Sequence, residues 1–275
     1  MTDRPLHRNA ALASDDHNSG LQLHAGTVTA IEEVSEHLCR ITLTAPQVAV
    51  DPTWSVPNVA VRLQIGGDGD PLNRVYTIRS CSVEDATVDI DVVRHGHASP
   101  MMRWLGALET GHTVDFVGPR PNFVIPSAQG RPAALFADDS ALPALYAILQ
   151  QPPTGLHGVA WVATDDHVAF ADLPDLPGLQ LRRIAAGHGF SAALAGLDAA
   201  DGMVVWAAGE RDDMREIRRH FRTACGLPKD DVAVFGYWKR GTSTTAIDEV
   251  RLRAYRKLLA EGGSLSDMDD LALEI

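Results

Sequence analysis

The apolar residues of this chain change their spacing near Pro126, and no single kind of sheet accommodates both halves. From about Leu23 to Phe123 they recur at every second position. In "LCRITLT" (38–44), Cys39, Ile41 and Leu43 fall on one face and Arg40, Thr42 and Thr44 on the other, because successive side chains of a strand point to opposite sides. The same alternation puts Val61, Leu63 and Ile65 together, then Val88, Ile90 and Val92, then Val114 and Phe116. Runs rich in Gly, Asp and Pro, such as 66–71, separate them. Half-buried strands at this spacing predict an antiparallel barrel or sandwich. One helix interrupts them at "SPMMRWLGAL" (99–108), with Ser99 as N-cap and Pro100 as first helical residue.

After Pro126 the apolar residues run continuously, in "AALFA" (133–137), "GVAWVAT" (158–164), "LQLRRI" (179–184), "GMVVWAAG" (202–209) and "VAVFGY" (232–237). Strands buried on both faces read this way, which predicts a parallel sheet covered by helices. One helix is plain in "RDDMREIRRHFRTACGLP" (211–228): Met214, Ile217, Phe221 and Ala224 share a face, Gly226 ends it and Pro228 prevents its resumption. A second, after residue 241, shares Ile247, Val250, Ala254 and Leu258 on one face and ends at Gly262. The expected organisation is a flexible N-terminal arm (1–22), an antiparallel β-barrel (23–126), an α/β domain with a parallel sheet (127–241) and a C-terminal helical extension (242–275).

The 275 residues carry a formal net charge of -12, which argues against a duplex nucleic-acid partner. No stretch of 18 apolar residues is present, so membrane insertion is not expected. The cysteines, Cys39, Cys81 and Cys225, form no CxxC pair and read as reduced thiols. The N-terminus lacks the basic-then-apolar order of a signal peptide. A cytoplasmic monomer is the expectation.

The segment "PLNRVYTIRS" (71–80) alternates like a strand, yet carries two guanidinium groups with a phenol between them. A strand that needed only stability has no use for that mixture; it suits a ligand with a phosphate and a flat ring. A barrel followed by a nucleotide-type α/β domain suits two-cofactor redox chemistry, a flavin on the barrel and a nicotinamide on the second domain. In that setting Arg74 can hold a pyrophosphate through charge-assisted hydrogen bonds. Tyr76 can pack on the isoalloxazine and ribitol, and Thr77 can offer a hydroxyl or amide near the reactive ring nitrogen. The start of the helix after "RHGHASP" is a further phosphate site, through the amides of Ala98, Ser99 and Met101.

"RVYTIRS" resembles the flavin signature of the siderophore-interacting protein family, the flavin-dependent ferric-siderophore reductases related to ferredoxin reductases. "ADDSALPALYAIL" (137–149), "VVWAAGERDDMREIRRHF" (204–221) and "FGYWKRG" (235–241) resemble three further segments of that family, in the same order. Ala137 and Ser140 stand where the family has Gly and Thr, and "GHASP" is a departure from its Gly-Pro-Ala-Ser run. The resemblance implies a barrel that binds FAD, a nicotinamide domain using NADH or NADPH, and a ferric siderophore as substrate. It implies cofactor contacts from Arg74, Tyr76, Thr77, Ile78 and Arg79. On the same ground His95, His97, Ala98, Ser99 and Met101 fall near the flavin and Trp238 over the ring or cleft. "ADDSALPA" follows a strand and opens a helix, so Ser140 and the amides near Ala141 could receive a cofactor phosphate or substrate, and Glu210, at a strand's carboxyl end, falls on the nicotinamide side. Lys239 and Arg240 are then available to attract an anionic chelate.

Plainer readings stand beside these. Tyr76 suits ordinary barrel packing. Arg79 either touches the flavin or braces the loop. His95 and His97 lack a Cys or acidic partner at metal-ligand spacing. Asp138 and Asp139 oppose an anion and read as helix caps, and Arg215, Arg218, Arg219 and Arg222 as a solvated helix face. Asp165 and Asp166 favour NADH, whereas Arg182 and Arg183 offer a phosphate site. The chain shows no Ser-His-Asp or Cys-His set, and the expected chemistry needs none, because it belongs to the flavin. Siderophores hold iron through hard oxygen donors that prefer the trivalent ion, so reduction to ferrous iron releases it. Two alternatives remain at this point: a ferredoxin-reductase-type flavoprotein with another electron acceptor, and a non-catalytic chelate-binding module.

Overall fold

The computed structural model describes residues 22–66, 72–94, 99–197, 202–263 and 269–275. Six antiparallel strands, β1 (Gln22–Glu33), β2 (Leu38–Thr44), β3 (Val59–Gln64), β4 (Asn73–Ser82), β5 (Thr87–Val93) and β6 (Thr113–Pro121), close into a barrel in the order β1-β2-β5-β4-β3-β6. The period-two residues line its interior: Cys39, Ile41, Leu43, Val61, Leu63, Val88, Ile90, Val92, Val114 and Phe116 are all buried in one cluster. Ile65 joins them just past the end of β3. Closure leaves no open edge on the sheet. Helix α1 (Pro100–Gly106) follows β5, capped as the sequence predicts, with Ser99 Oγ accepting from Met102 N–H.

The second half is a five-stranded sheet in the order β11-β10-β7-β8-β9, parallel throughout, formed by β7 (Ala133–Asp138), β8 (Gly158–Ala163), β9 (Leu179–Ile184), β10 (Val204–Glu210) and β11 (Val232–Trp238). The central strands are buried on both faces, as continuous apolar runs require. Strand β9 departs from this expectation: it lies at the sheet edge and exposes Arg182 and Arg183. Helices α2 (Leu142–Gln150), α3 (His167–Ala171), α4 (Ser191–Ala195) and α5 (Arg211–Arg219) fill the crossovers.

Helix α5 continues as a π turn over His220–Ala224. The wider turn rotates the residues beyond it, so Met214, Ile217 and Phe221 are buried while Ala224, expected on the same face, is exposed. The two halves share one apolar seam, since Leu38 of the barrel belongs to the cluster around β7, α2 and β10 and α2 packs against β4. Phe123, just past β6, stacks on Phe235 of β11 with centroids 4.9 Å apart. Helix α6 (Thr244–Ala260) spans the junction: Asp248 faces Arg62 of β3 at 3.7 Å, and Arg251 donates to the Gly236 carbonyl of β11 at 3.0 Å.

Candidate active site at the domain junction

Strand β4 has two chemically different faces, and they divide the residues that the sequence grouped together. Tyr76 and Ile78 point to the barrel core, where Ile78 is buried and Tyr76 packs at its margin. Arg74 shares that side, close enough for its charge to act on the Tyr76 phenol, whose pKa burial nonetheless pushes up. Its guanidinium is half-buried, donates to the Asn73 carbonyl at 2.8 Å and makes no ion pair among the described residues. Asn73 Oδ1 beside it is a buried acceptor without a partner. Val75, on the opposite face, is 52% exposed.

Thr77 and Arg79 face the α/β domain. The Tyr237 phenol, from the end of β11, lies beside the side chains of Thr77 and Asn58; burial pushes its pKa up to about 12, and those two polar neighbours partly offset this. Asn58 is itself buried, in the left-handed region at φ 59°, and donates to the Phe123 carbonyl at 2.7 Å; asparagine adopts that conformation more readily than most residues. Arg79 ion-pairs with Asp91 and Asp172 and covers the Tyr146 ring. Of the two readings offered by the sequence, flavin contact or brace, the geometry supports the brace.

The second half of the site lies at the carboxyl edge of the parallel sheet. The chain runs from β7 through β8 to β9, then crosses back to place β10 on the other side of β7. Open α/β sheets bind ligands at such a reversal, and here Asp138 and Glu210 end the two strands that flank it. Asp138 Oδ2 accepts from Glu210 N–H at 2.8 Å and Trp238 Nε1–H at 2.7 Å; its Oδ1 accepts from the Ser140 amide at 2.9 Å and the Ser140 hydroxyl at 2.5 Å. Burial pushes this carboxyl's pKa up against those donors. Gly209 is the residue that admits it: a Cβ there would meet Asp138 Cγ at 2.6 Å, with φ at +150°.

Several expectations are corrected at this edge. Ser140 and Ala141 do not present free donors to a phosphate, since Asp138 already takes the Ser140 amide and hydroxyl and Ala141 is fully buried. The cap reading of Asp138 holds. Glu210 is not an open nicotinamide contact but a buried clamp: Oε2 accepts from Asp212 and Asp213 N–H at 2.7 and 3.1 Å, and Oε1 from Arg240 N–H at 3.0 Å. Lys239 pairs with Asp212 at 3.1 Å, whereas the Arg240 side chain is exposed and Trp238 is 38% exposed. The Met101 side chain is buried in the barrel core and the Ser99 hydroxyl caps α1, so the groups of these two residues available to a phosphate are their amides, as the sequence reading has it. His95, His97 and Ala98 lie outside the described residues.

The supposedly solvated arginines of α5 divide too. Arg215 donates to the Leu271 and Leu273 carbonyls, and Arg218 pairs with Asp269 at 2.5 Å, fastening the tail that follows α6. Buried Arg211 pairs with Asp270 at 2.6 Å and runs beneath Gly236, where a Cβ would meet Arg211 Cγ at 2.6 Å. Nothing in the residue pattern marks a further group of arginines, Arg62 of β3, Arg120 of β6 and Arg251 of α6, of which Arg62 pairs with Asp248 and Arg251 with Asp248 and Asp270. Burial first, and then their mutual repulsion, hold Arg62 and Arg120 below the usual arginine range, while Asp248 partly offsets this at Arg62. These arginines are far apart in sequence and meet only through barrel register and the docking of α6.

Asp213 offers a pH test of this geometry. Burial, followed by the neighbouring Glu210 carboxylate, pushes its pKa up to about 6, well above the usual carboxylate range. The folded state then holds a proton that the unfolded chain has released, so this group costs stability as pH rises from about 4 through about 6. Asp213→Asn is expected to raise Tm at pH 8, with the gain vanishing towards pH 4. Melts across that range check it, and a gain that did not change with pH would contradict it.

The comparisons with known proteins agree with the two-part architecture. Residues 54–123 match the siderophore-interacting FAD-binding domain, and residues 131–241 match the siderophore-interacting protein model. The ferric acinetobactin reductase of Acinetobacter baumannii is 34% identical over 229 residues, 80% of this chain and 80% of the relative. A ferric vibriobactin reductase of Vibrio cholerae is 26% identical over 79% of this chain and 90% of its own length. A solved siderophore-interacting protein from Acinetobacter baumannii superposes with a TM-score of 0.80 at 30% identity, covering 87% of this chain and 99% of that one.

Proposed function

The chain belongs to the siderophore-interacting protein family, and we propose from that membership and the geometry of β4 that it is an FAD-dependent reductase of ferric siderophores, driven by NADH or NADPH. FAD, when bound, supplies the passage from a two-electron hydride donor to one-electron reduction of ferric iron. The observation that carries the reading is Arg74: a half-buried guanidinium that donates to a backbone carbonyl and pairs with no carboxylate among the described residues, on the strand whose other face is fastened to the second domain. Its fork matches a pyrophosphate, and the orphaned Asn73 Oδ1 beside it is a ready acceptor for a ribityl or ribose hydroxyl.

Apolar surface for a flat ring is present on both sides of the junction, in Val75, Phe123 and Trp238, 52%, 67% and 38% exposed respectively. Residues 23–126 are then the FAD-binding unit, 127–241 the nicotinamide-binding unit and 242–275 the extension whose α6 closes over both; the two family matches, 54–123 and 131–241, fall within the first two. Asp165 and Asp166 both accept from turn amides, of Ala186, Val168 and Ala169, so neither is reserved for a ribose. Exposed Arg240 is the feature suited to an anionic chelate, whereas the charge of Lys239 is held by its pair with Asp212.

No helix among the described residues is long and apolar enough to cross a membrane. A cytoplasmic monomer is part of the proposal, and light scattering at the chain mass of 29.6 kDa tests the monomer. For the activity, purified protein given FAD is expected to show a bound-flavin spectrum, bleach anaerobically with NADH or NADPH, and recover its colour on adding a ferric siderophore as ferrous iron appears. Flavin binding without recovery on any ferric chelate, but with ferredoxin or oxygen, would overturn the substrate assignment; refusal of FAD would overturn the whole. Arg240→Ala is expected to raise the apparent KM severalfold for an anionic ferric chelate and to leave that for a neutral one unchanged. Equal effects on both would remove Arg240 from the substrate site.

A further inference from the structure

The flavin strand is tied to the second domain by a closed set of ions that no cofactor needs. Asp91 of β5 lies between two arginines of neighbouring strands: Arg40 Nε and Nη2 reach its two oxygens at 2.7 and 3.1 Å, and Arg79 Nε reaches it at 3.1 Å. Both arginines then leave the barrel for the same acceptor, Asp172, which closes helix α3 in the α/β domain; Arg40 lies 3.3 Å from it and Arg79 pairs with it. The Arg79 guanidinium also lies 3.3 Å above the centre of the Tyr146 ring of α2. It is only 6% exposed.

Arg79 and Asp91 are buried while Asp172 is 45% exposed; such an ion set is weak evidence for stability, because desolvation offsets the Coulomb energy of its buried members and solvent screens the rest. What a planar guanidinium adds is direction. Arg79 follows Thr77 by one turn of the strand pleat and points the same way, so β4 meets the second domain at two places, Thr77 on Tyr237 and Arg79 on Asp172 and Tyr146. Two contacts along a strand fix both its distance from the neighbouring domain and its rotation; one contact leaves a pivot. Hydride transfer needs reacting atoms about 3–3.5 Å apart, and a displacement of about 1 Å can cost a hundredfold.

We propose that Arg79 and Asp172 are a positioning pair, which holds the flavin strand in register with the nicotinamide domain and touches neither cofactor. The inference rests on the reductase reading above. It is tested in the full chain with Asp172→Asn, the conservative Asp172→Glu, and Glu33→Gln, which removes an exposed pair with Arg94 elsewhere on the barrel. In flavin-free Asp172→Asn, amide exchange is expected to quicken in β4 and α3. With FAD, its dissociation constant should stay within about twofold, while anaerobic rapid-mixing shows hydride transfer slowed about tenfold, with a deuterium isotope effect that depends more steeply on temperature. Asp172→Glu should recover most of the rate, and Glu33→Gln should behave as wild type.

An unchanged transfer rate in Asp172→Asn, or a loss of FAD affinity parallel to the loss of rate, would overturn the positioning role. Wild type that takes FAD but no hydride would instead overturn the reductase reading. The exchange measurement on flavin-free protein reports the fastening of the two domains in either case, so the two failures are told apart.

Discussion

Arg74→Ala is expected to raise the dissociation constant of FAD by about ten- to a hundredfold, the effect of removing one hydrogen bond to a charged group worth about 1.5–3 kcal/mol. Two features make this a clean experiment. The guanidinium bonds only the carbonyl of the preceding residue and pairs with no carboxylate among the described residues, so its loss orphans no buried acid. The melting temperature of the flavin-free variant should therefore match wild type, within the about 0.5 kcal/mol typical of surface changes. Arg74→Lys keeps the charge but not the fork and should recover only part of the affinity. Fluorescence titration of flavin-free protein measures all of this. Unchanged affinity in Arg74→Ala would mean that the phosphates are held elsewhere, and the reading of β4 would fail with it.

Glu210→Ala is expected to destabilise the fold by about 3 kcal/mol. Its buried carboxylate accepts from three backbone amides, those of Asp212, Asp213 and Arg240. Losing a helix N-cap costs about 0.5–2 kcal/mol, and leaving a further amide without an acceptor about 1–3 kcal/mol. At about 2–4 °C per kcal/mol for a chain of this size, Tm should fall by about 6–12 °C. Glu210→Gln retains one carbonyl acceptor and should lose less than half as much. A melt of Glu210→Ala within 2 °C of wild type would show that water replaces the carboxylate at no cost. The same variant frees the start of α5 and the backbone of Arg240 together, so a rise in the chelate KM is expected alongside the lower Tm.

Periodicity was enough to locate the barrel interior, the parallel sheet, the change between them near Pro126 and the cap of α1. Those features are local: alternation decides which face of a strand is apolar, whatever that strand later meets. The motif around Arg74 was legible for the same reason, because a cation and a phenol on one short strand are neighbours in any fold that keeps the strand. Ala224 escaped because a π turn changes the helical period without a marker in the residues themselves.

The partners of the polar residues were a different matter, and only the tertiary structure decided them. Arg79 and Asp172 are 93 positions apart, and Trp238 and Asp138 are 100; nothing in either neighbourhood names the other. A short segment specifies what a side chain can bond to, but a charge buried at a domain junction is satisfied by whatever the remaining chain brings within about 4 Å. Ser140 and Glu210 therefore looked like ligand contacts in sequence and are internal clamps in the fold. Asn58 and Tyr237, silent as single residues, meet beside Thr77 because the chain entering β3 and the end of β11 come to the same stretch of β4.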